Sequence, residues 1–260
     1  MMTVYEMFLM VFFISALSGG IGSLTGLGGG MLVIPLLCFL KFDLHQAMGT
    51  GLAIGVTNSL VGTALFKRDS LTYIKLGMFL ETGIAIGAII GALTVAYVPI
   101  KILTLLFGLV LVAITFFSFQ KFKVSNSAEP DFNHVNYSKS RLSCSWFLMS
   151  IAGALSGLLG IGSGTLKVLA MDMVLKLPYK VSTSTSTFMI GMTTATTLGV
   201  YMSHGYIKLP LIAPAILGTA LGGYIGAVML VKGNSDKIKI LFHCVILGVA
   251  IEMLKEGFSK

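Results

Sequence analysis

Two glycine clusters carry the chemistry this chain can offer a ligand. Gly26-Leu-Gly-Gly-Gly30 interrupts an uncharged run from Met7 to Leu40, and Gly160-Ile-Gly-Ser-Gly164 interrupts a second apolar stretch. An uncharged run of that length crosses a bilayer, which takes roughly 20 apolar residues per helix. Glycines packed this densely break the helix and free its backbone groups. A helix that restarts inside the membrane presents unpaired N–H groups and the positive end of its dipole, a fit for an anion. Gly28, Gly29, Gly30, Gly162, Ser163 and Gly164 are therefore candidate binding residues, with Ser23, Thr25, Ser163 and Thr165 as nearby hydroxyl donors. Clustered glycines also serve close helix packing; a break that occurs twice, each time beside a short helix, favours the binding use.

Hydroxyl groups supply the second ingredient. Ser182-Thr-Ser-Thr-Ser-Thr187 is unusually polar for a membrane span, and Thr50 is its first-half counterpart. Hydroxyls replace part of an oxyanion's hydration shell without adding charge, though Ser and Thr also bond their own helix's carbonyls. Nearness to the glycine breaks selects Thr50, Thr183, Ser184 and Thr185, and leaves Thr193, Thr194, Thr196 and Thr197 as structural. Charged residues inside apolar stretches are few. Lys167, three residues past Gly164, either reinforces a positive pocket or snorkels to the interface. Asp172 and Glu81 are candidates for coupling transport to a proton or for an ion pair; Glu81 could also lie at a helix end.

Other chemistries find no support. His45, His134, His204 and His243 have no metal-ligand spacing, and Cys38, Cys144 and Cys244 are scattered in apolar sequence without CxxC pairs. Gly26-Leu-Gly-Gly-Gly lacks the Lys-Ser/Thr of a phosphate loop. The expectation is a non-enzyme with no cofactor and no metal.

The elements that hold these groups follow from composition. The 260 residues are 55% hydrophobic and 11% charged, with mean hydropathy +0.93, where a soluble domain is about 25% charged. The net charge of +8 therefore speaks to membrane orientation, not to nucleic acid. The N-terminal residues lack a basic n-region, so the first apolar segment is expected to stay as a helix. Apolar segments and their breaks predict helices at 4–25, 30–41, 46–66, 72–97 and 99–120, then at 144–160, 165–177, 180–203, 209–231 and 236–256. The polar stretch 121–143 between them reads as a cytoplasmic linker, dividing a first repeat, 1–120, from a second, 144–260.

The halves resemble one another. Gly26–Pro35 lies on Gly160–Leu169 without a gap, Gly49-Thr-Gly51 on Thr183-Ser-Thr185, and Gly83, Gly87 and Gly91 on Gly218, Gly222 and Gly226 after a one-residue slip. Two diverged halves, each with a broken helix, point to a secondary transporter's binding site. The predicted fold is an all-α integral membrane protein of two halves with about five helices each, 8–10 membrane segments in all. If the short second helices cross the membrane, the halves are inverted. One side then gathers Lys67, Arg68, Lys75, Lys121, Lys123, Lys139, Arg141, Lys176, Lys180, Lys232, Lys237 and Lys239, and the other keeps only Lys41, Lys101, Lys208, Lys255 and Lys260. If they re-enter, the basic residues divide almost evenly. The positive-inside rule favours inversion, with both termini outside.

At Ser23-Leu-Thr-Gly-Leu-Gly-Gly-Gly-Met-Leu-Val-Ile-Pro35, Ala47-Met-Gly-Thr50 and their second-half echoes, the chain resembles the TauE/SafE sulfite-exporter family over essentially its full length. The resemblance implies a multi-pass carrier of the bacterial inner membrane for sulfite, sulfonates or other sulfur-containing and organic anions. Two departures lie near the site: Gly51 stands where a serine commonly follows the threonine, and Lys167 matches Val33. The expected mechanism is alternating access around an anion site at the two breaks; a channel-like or accessory membrane subunit is the alternative. Expected partners are the lipid bilayer, a small anionic substrate, coupled protons or other ions, and a second copy of the chain in a homodimer.

Overall fold

The computed structural model describes residues 4–26, 28–68, 72–121, 139–162, 164–175, 177, 179–232 and 236–259. Among them are ten α-helices, one turn of 3-10 helix at Val95–Tyr97, and no strand. The helices are α1 Val4–Thr25, α2 Gly30–Phe39, α3 Leu44–Arg68, α4 Ile74–Thr94, α5 Ile100–Lys121, α6 Lys139–Leu159, α7 Gly164–Leu175, α8 Tyr179–Ser203, α9 Leu209–Lys232 and α10 Asp236–Ser259. Each falls where the apolar runs place one. The largest difference is at the expected linker 121–143, whose edges are helical: Lys121 closes α5, and residues 139–143 open α6. Lys and Arg are good helix formers, so charge alone does not end a helix. Residues 122–138 lie outside the described residues.

Stretches of α1, α3, α4, α6 and α9 are long and apolar enough to cross a membrane. The chain is a multi-pass membrane protein. Its outer surface shows it directly, with Phe13, Leu17, Ile90, Leu109, Leu221 and Ile225 all more than half exposed. An apolar surface of that extent is stable against lipid and not against water. α8, at 25 residues, is also long enough to cross; it packs against α3, α4, α6 and α7, burying residues 181–187, while Met192 and Met202 on its C-terminal half are exposed.

The most extensive packing joins α1 to α9, α4 to α6, α3 to α8 and α5 to α10. Two of these crossings are built on small residues. A Cβ on Gly218, Gly222 or Gly226 of α9 would stand 2.1, 1.8 and 2.0 Å from the carbonyl oxygens of Phe12, Ala16 and Gly20 in α1. Gly87 and Gly91 of α4 meet the Ser150 and Ala154 carbonyls of α6 at 2.0 and 2.1 Å in the same way. Lipid tails supply no hydrophobic drive between helices, so close backbone approach does the work of association.

α2 and α7 are short, 10 and 12 residues, about 15 and 18 Å at 1.5 Å per residue. Neither spans the roughly 30 Å hydrocarbon core alone. α2 buries Met31, Leu32, Val33, Ile34 and Leu37 against Ala47, Met48 and Leu52 of α3, which sets its glycine-rich entry inside the protein.

Candidate functional site

Both glycine breaks carry left-handed backbone at matched positions, 26 with 160 and 28 with 162. After α1, Gly26, Gly28 and Gly29 have φ of 72°, 80° and 78°; after α6, Gly160 and Gly162 have 69° and 71°. These left-handed angles cost an L-residue roughly 1–2 kcal/mol each, which is why glycine stands at the matched positions 28 and 162. Gly28, Gly29, Gly30, Gly162 and Gly164 are all buried. Ser163 lies outside the described residues.

The two breaks converge on one helix. A Cβ on Gly28 would lie 3.0 Å from the Ile190 Cγ2 methyl of α8, and one on Gly162 would lie 3.2 Å from the same methyl. The buried Ser186 hydroxyl reaches the Gly26 carbonyl at 3.2 Å and the Gly164 carbonyl at 3.0 Å. One hydroxyl proton thus serves one break at a time. Gly51 of α3 sits against both segments: its Cβ position is 2.8 Å from Ile34 of α2 and 3.3 Å from the Gly160 carbonyl oxygen. A serine there would collide with Ile34, which accounts for glycine at this position.

The nominated hydroxyls take different parts. Thr50 donates to the Gln46 carbonyl of its own helix (2.9 Å), and Ser184 to Val181 (3.1 Å). The Thr185 hydroxyl accepts the Tyr73 N–H at 3.0 Å and pins the entry of α4 to α8. Thr183 Oγ1 is buried with no hydrogen bond. Buried polar atoms in folded proteins are ordinarily paired, and of the four it is the one whose hydroxyl neither donates nor accepts a hydrogen bond among the described residues. Thr25 bonds back to Ile21, while Ser23 reaches across to Asn58 Oδ1 at 2.8 Å. The Asn58 amide nitrogen is buried without a partner.

Lys167 does not snorkel. Its side chain is fully buried, its Nζ is 3.7 Å from Glu81 Oε2, and it donates to Thr193 Oγ1. The Thr193 hydroxyl in turn lies against Glu81 Oε1 and 2.9 Å from the Met189 carbonyl. Glu81 is no helix-end residue: it sits inside α4 and is 2% exposed. Lys167 therefore brings no net charge to the second break, because Glu81 neutralises it. Asp172 lies in α7, but its side chain is outside the described residues.

Ser186, Ile190, Thr193 and Asn58 stand beside the candidate residues in the structure and carry no signal in the sequence that singles them out. Ser186 belonged to a run already singled out and differs only in the helix face it occupies. Thr193 had been set aside as structural; its role depends on Lys167 and Glu81, 86 residues apart in the chain. No group of three or more His, Cys, Asp or Glu side chains that could hold a metal ion occurs among the described residues.

Known proteins agree with a transport reading at the level of family. The model of the sulfite exporter TauE/SafE family matches residues 11–253. The chain is similar to the probable membrane transporter protein YunE of Bacillus subtilis, 25% identical over 96% of this chain and 98% of the relative. It is also similar to YdhB of the same organism, 28% identical over 84% of this chain and 89% of the relative. A probable membrane transporter protein of Methanocaldococcus jannaschii is 28% identical over 78% of this chain and 80% of its own length. No solved structure matches the chain.

Proposed function

The chain belongs to the sulfite exporter TauE/SafE family of membrane transporters, and on that premise we propose that it carries a small anion by alternating access. The proposed site lies where the two glycine breaks meet α8. The observation that carries this reading is the convergence itself: the glycine breaks that lead into α2 and α7, both inside the protein, approach the same Ser186–Ile190 segment. Each break precedes a helix N-terminus, and two helix N-termini near one buried region favour negative charge there. Thr183, with its unused hydroxyl, and Asn58, with its unused amide, add donors nearby. Sulfite, a sulfonate or a related sulfur-containing or organic anion suits such a site, because donors without net charge bind an oxyanion and still release it.

The packing supports two matching halves. When the first half is exchanged for the second, α1 on α9 becomes α6 on α4, while α3–α8 and α5–α10 return to themselves. α1, α2, α3 and α9 pack as one group and α6, α7, α8 and α4 as its counterpart, and rocking of one such group against the other is the usual route to alternating access. Transport by the purified chain in proteoliposomes is the test, with sulfite, methanesulfonate and acetate as probes. Uptake should saturate and accelerate when unlabelled anion is loaded on the opposite side. Flux strictly linear in concentration would make the protein a channel, and absence of flux for every probe would remove the anion assignment.

For topology we propose inverted halves, with both termini outside and the linker 121–143 in the cytoplasm, from the lopsided distribution of Lys and Arg. A single cysteine at Asn133, in a background lacking Cys38, Cys144 and Cys244, should resist an impermeant thiol reagent in intact cells and react after permeabilisation. Strong labelling of intact cells would reverse the assignment.

A further inference from the structure

We propose that Glu81 is an internal counter-ion which the transported anion replaces at Lys167, and that Glu81 leaves the pair as the neutral acid, so that one proton enters the site with each anion. The inference rests on the transport reading above and names what that transport is coupled to.

The pair lies at the right place. Lys167 stands in the first turn of α7, three residues past Gly164, so its charge is beside the second break. Glu81 comes from α4 of the first half, while Lys167 and Thr193 come from α7 and α8 of the second. α4 and α7 both pack on α6 and α8, so a shift of α7 relative to α4 opens or closes this contact.

The pair is also loosely made. Nζ to Oε2 is 3.7 Å, beyond hydrogen-bond length, and Glu81 Oε2 is buried with no hydrogen bond. A carboxylate held for structure alone ordinarily accepts close, charge-assisted hydrogen bonds from its cation, whereas the close hydrogen bond that Glu81 accepts, at Oε1, comes from the neutral Thr193 hydroxyl. Here Thr193 stands between the two groups, accepting from Lys167 and facing Glu81 Oε1. An incoming oxyanion offers Lys167 the closer partner that Glu81 does not supply.

Charge balance requires the proton. The resting pair is neutral, and an anion added to it leaves one uncompensated negative charge in a buried volume, which is costly. The balanced exchange is Glu81 carboxylate paired with Lys167 ammonium, plus anion, plus one proton from the entry side, giving Glu81 carboxylic acid and an anion paired with Lys167 ammonium. No other described charge stands by to compensate. The charged residues of α5, α6 and α8 are Lys101, Lys121, Lys139, Arg141 and Lys180, all in the terminal turns of their helices, and Lys75 is in the first turn of α4. The remaining described titratable side chains on these helices face elsewhere: Cys144 is exposed, and Tyr201 donates to the Gly157 carbonyl. Asp172 is five residues along α7, about 140° around the helix from Lys167.

The first half has no equivalent. Val33 matches Lys167, and Ile216, with the one-residue slip of the Gly83–Gly218 alignment, matches Glu81. The proton-linked subsite belongs to the second break alone.

Titration calorimetry of the purified full-length chain with methanesulfonate, repeated in two buffers of different ionisation enthalpy, counts protons taken up per anion bound. Methanesulfonate stays a monoanion throughout the neutral range, so any proton lands on the protein. Wild type should take up one proton per anion. Glu81→Gln should take up none and bind about tenfold more tightly, because the resident competitor is gone. An unpaired Lys167 charge destabilises the fold, so the Glu81→Gln/Lys167→Met double variant is the companion. It should melt like wild type, bind at least about tenfold more weakly because the cation is gone, and take up no proton. Wild-type binding without proton uptake, or an unchanged proton count in either variant, overturns the inference and leaves the transport reading standing. Wild type that neither binds nor transports methanesulfonate or sulfite overturns the transport reading, and this inference with it.

Discussion

Gly28→Val and Gly162→Val are each expected to abolish anion uptake while leaving folded protein in the membrane. Both positions have φ in the left-handed region, at 80° and 71°, where a β-branched residue is a strained outlier. The added side chain would also push on Ile190, from 3.0 Å at Gly28 and 3.2 Å at Gly162, and at Gly162 on the Thr194 methyl at 3.2 Å. Those neighbours are side-chain atoms, which can give way. The cost is therefore local: the turn reshapes and the backbone no longer accepts a ligand, but the helices around it keep their places. Uptake per folded molecule, normalised by size-exclusion fluorescence, is the measurement. Gly199→Val is the control, since Gly199 is exposed and nothing lies within 4 Å of its Cβ position. Normal uptake by both site variants would place substrate binding away from the breaks.

Gly222→Val should fail at an earlier stage, with little folded protein recovered. Its Cβ would sit 1.8 Å from the Ala16 carbonyl oxygen, and the obstacle is backbone, so no rotamer relieves it. Gly218 and Gly226 touch α1 on the same face, and the two helices would have to separate along the whole crossing. Overpacking of a core costs about 1–3 kcal/mol where side chains can adjust; separating two helix backbones forfeits more contacts than that. Gly87→Val in α4, 2.0 Å from the Ser150 carbonyl oxygen, should behave alike. Gly248→Ala in α10, with nothing within 4 Å, should be close to neutral. Thermal unfolding in detergent distinguishes them, and a wild-type melting temperature for Gly222→Val would mean that α1 and α9 do not meet as described.

The two glycine classes fail differently for a physical reason that the sequence does not display. At Gly28 the backbone angle matters and the neighbours are soft; at Gly222 the angle is ordinary and the neighbour is rigid. Both are glycines in apolar runs. The density of the first cluster did mark it as a break, and the four-residue spacing of Gly218, Gly222 and Gly226 placed them on one helix face. Which helix that face meets is a property of the assembled bundle.

What the sequence determined by itself is what depends on short windows of chain. Length and hydropathy of each apolar run placed ten helices close to their observed bounds, because a span must satisfy its backbone internally whatever surrounds it. Glycine density placed both breaks, and the 134-residue shift aligns Gly26 and Gly28 with Gly160 and Gly162, all four of which have positive φ. Tertiary structure decided what faces what. In a soluble helix the apolar stripe marks the inside, but here lipid and core are both apolar. Phe13, 61% exposed, and Phe107, 1% exposed, occupy equally hydrophobic stretches. For the same reason Thr185 was not distinguishable from Ser186, although one pins the entry of α4 and the other spans both breaks. Lys167 could be read as a pocket charge or a snorkelling one until Glu81 was found beside it, brought from another half of the chain by the packing of α4 against α6 and α8. Pairings over that separation are fixed by how whole helices pack together, and no local pattern of residues encodes them.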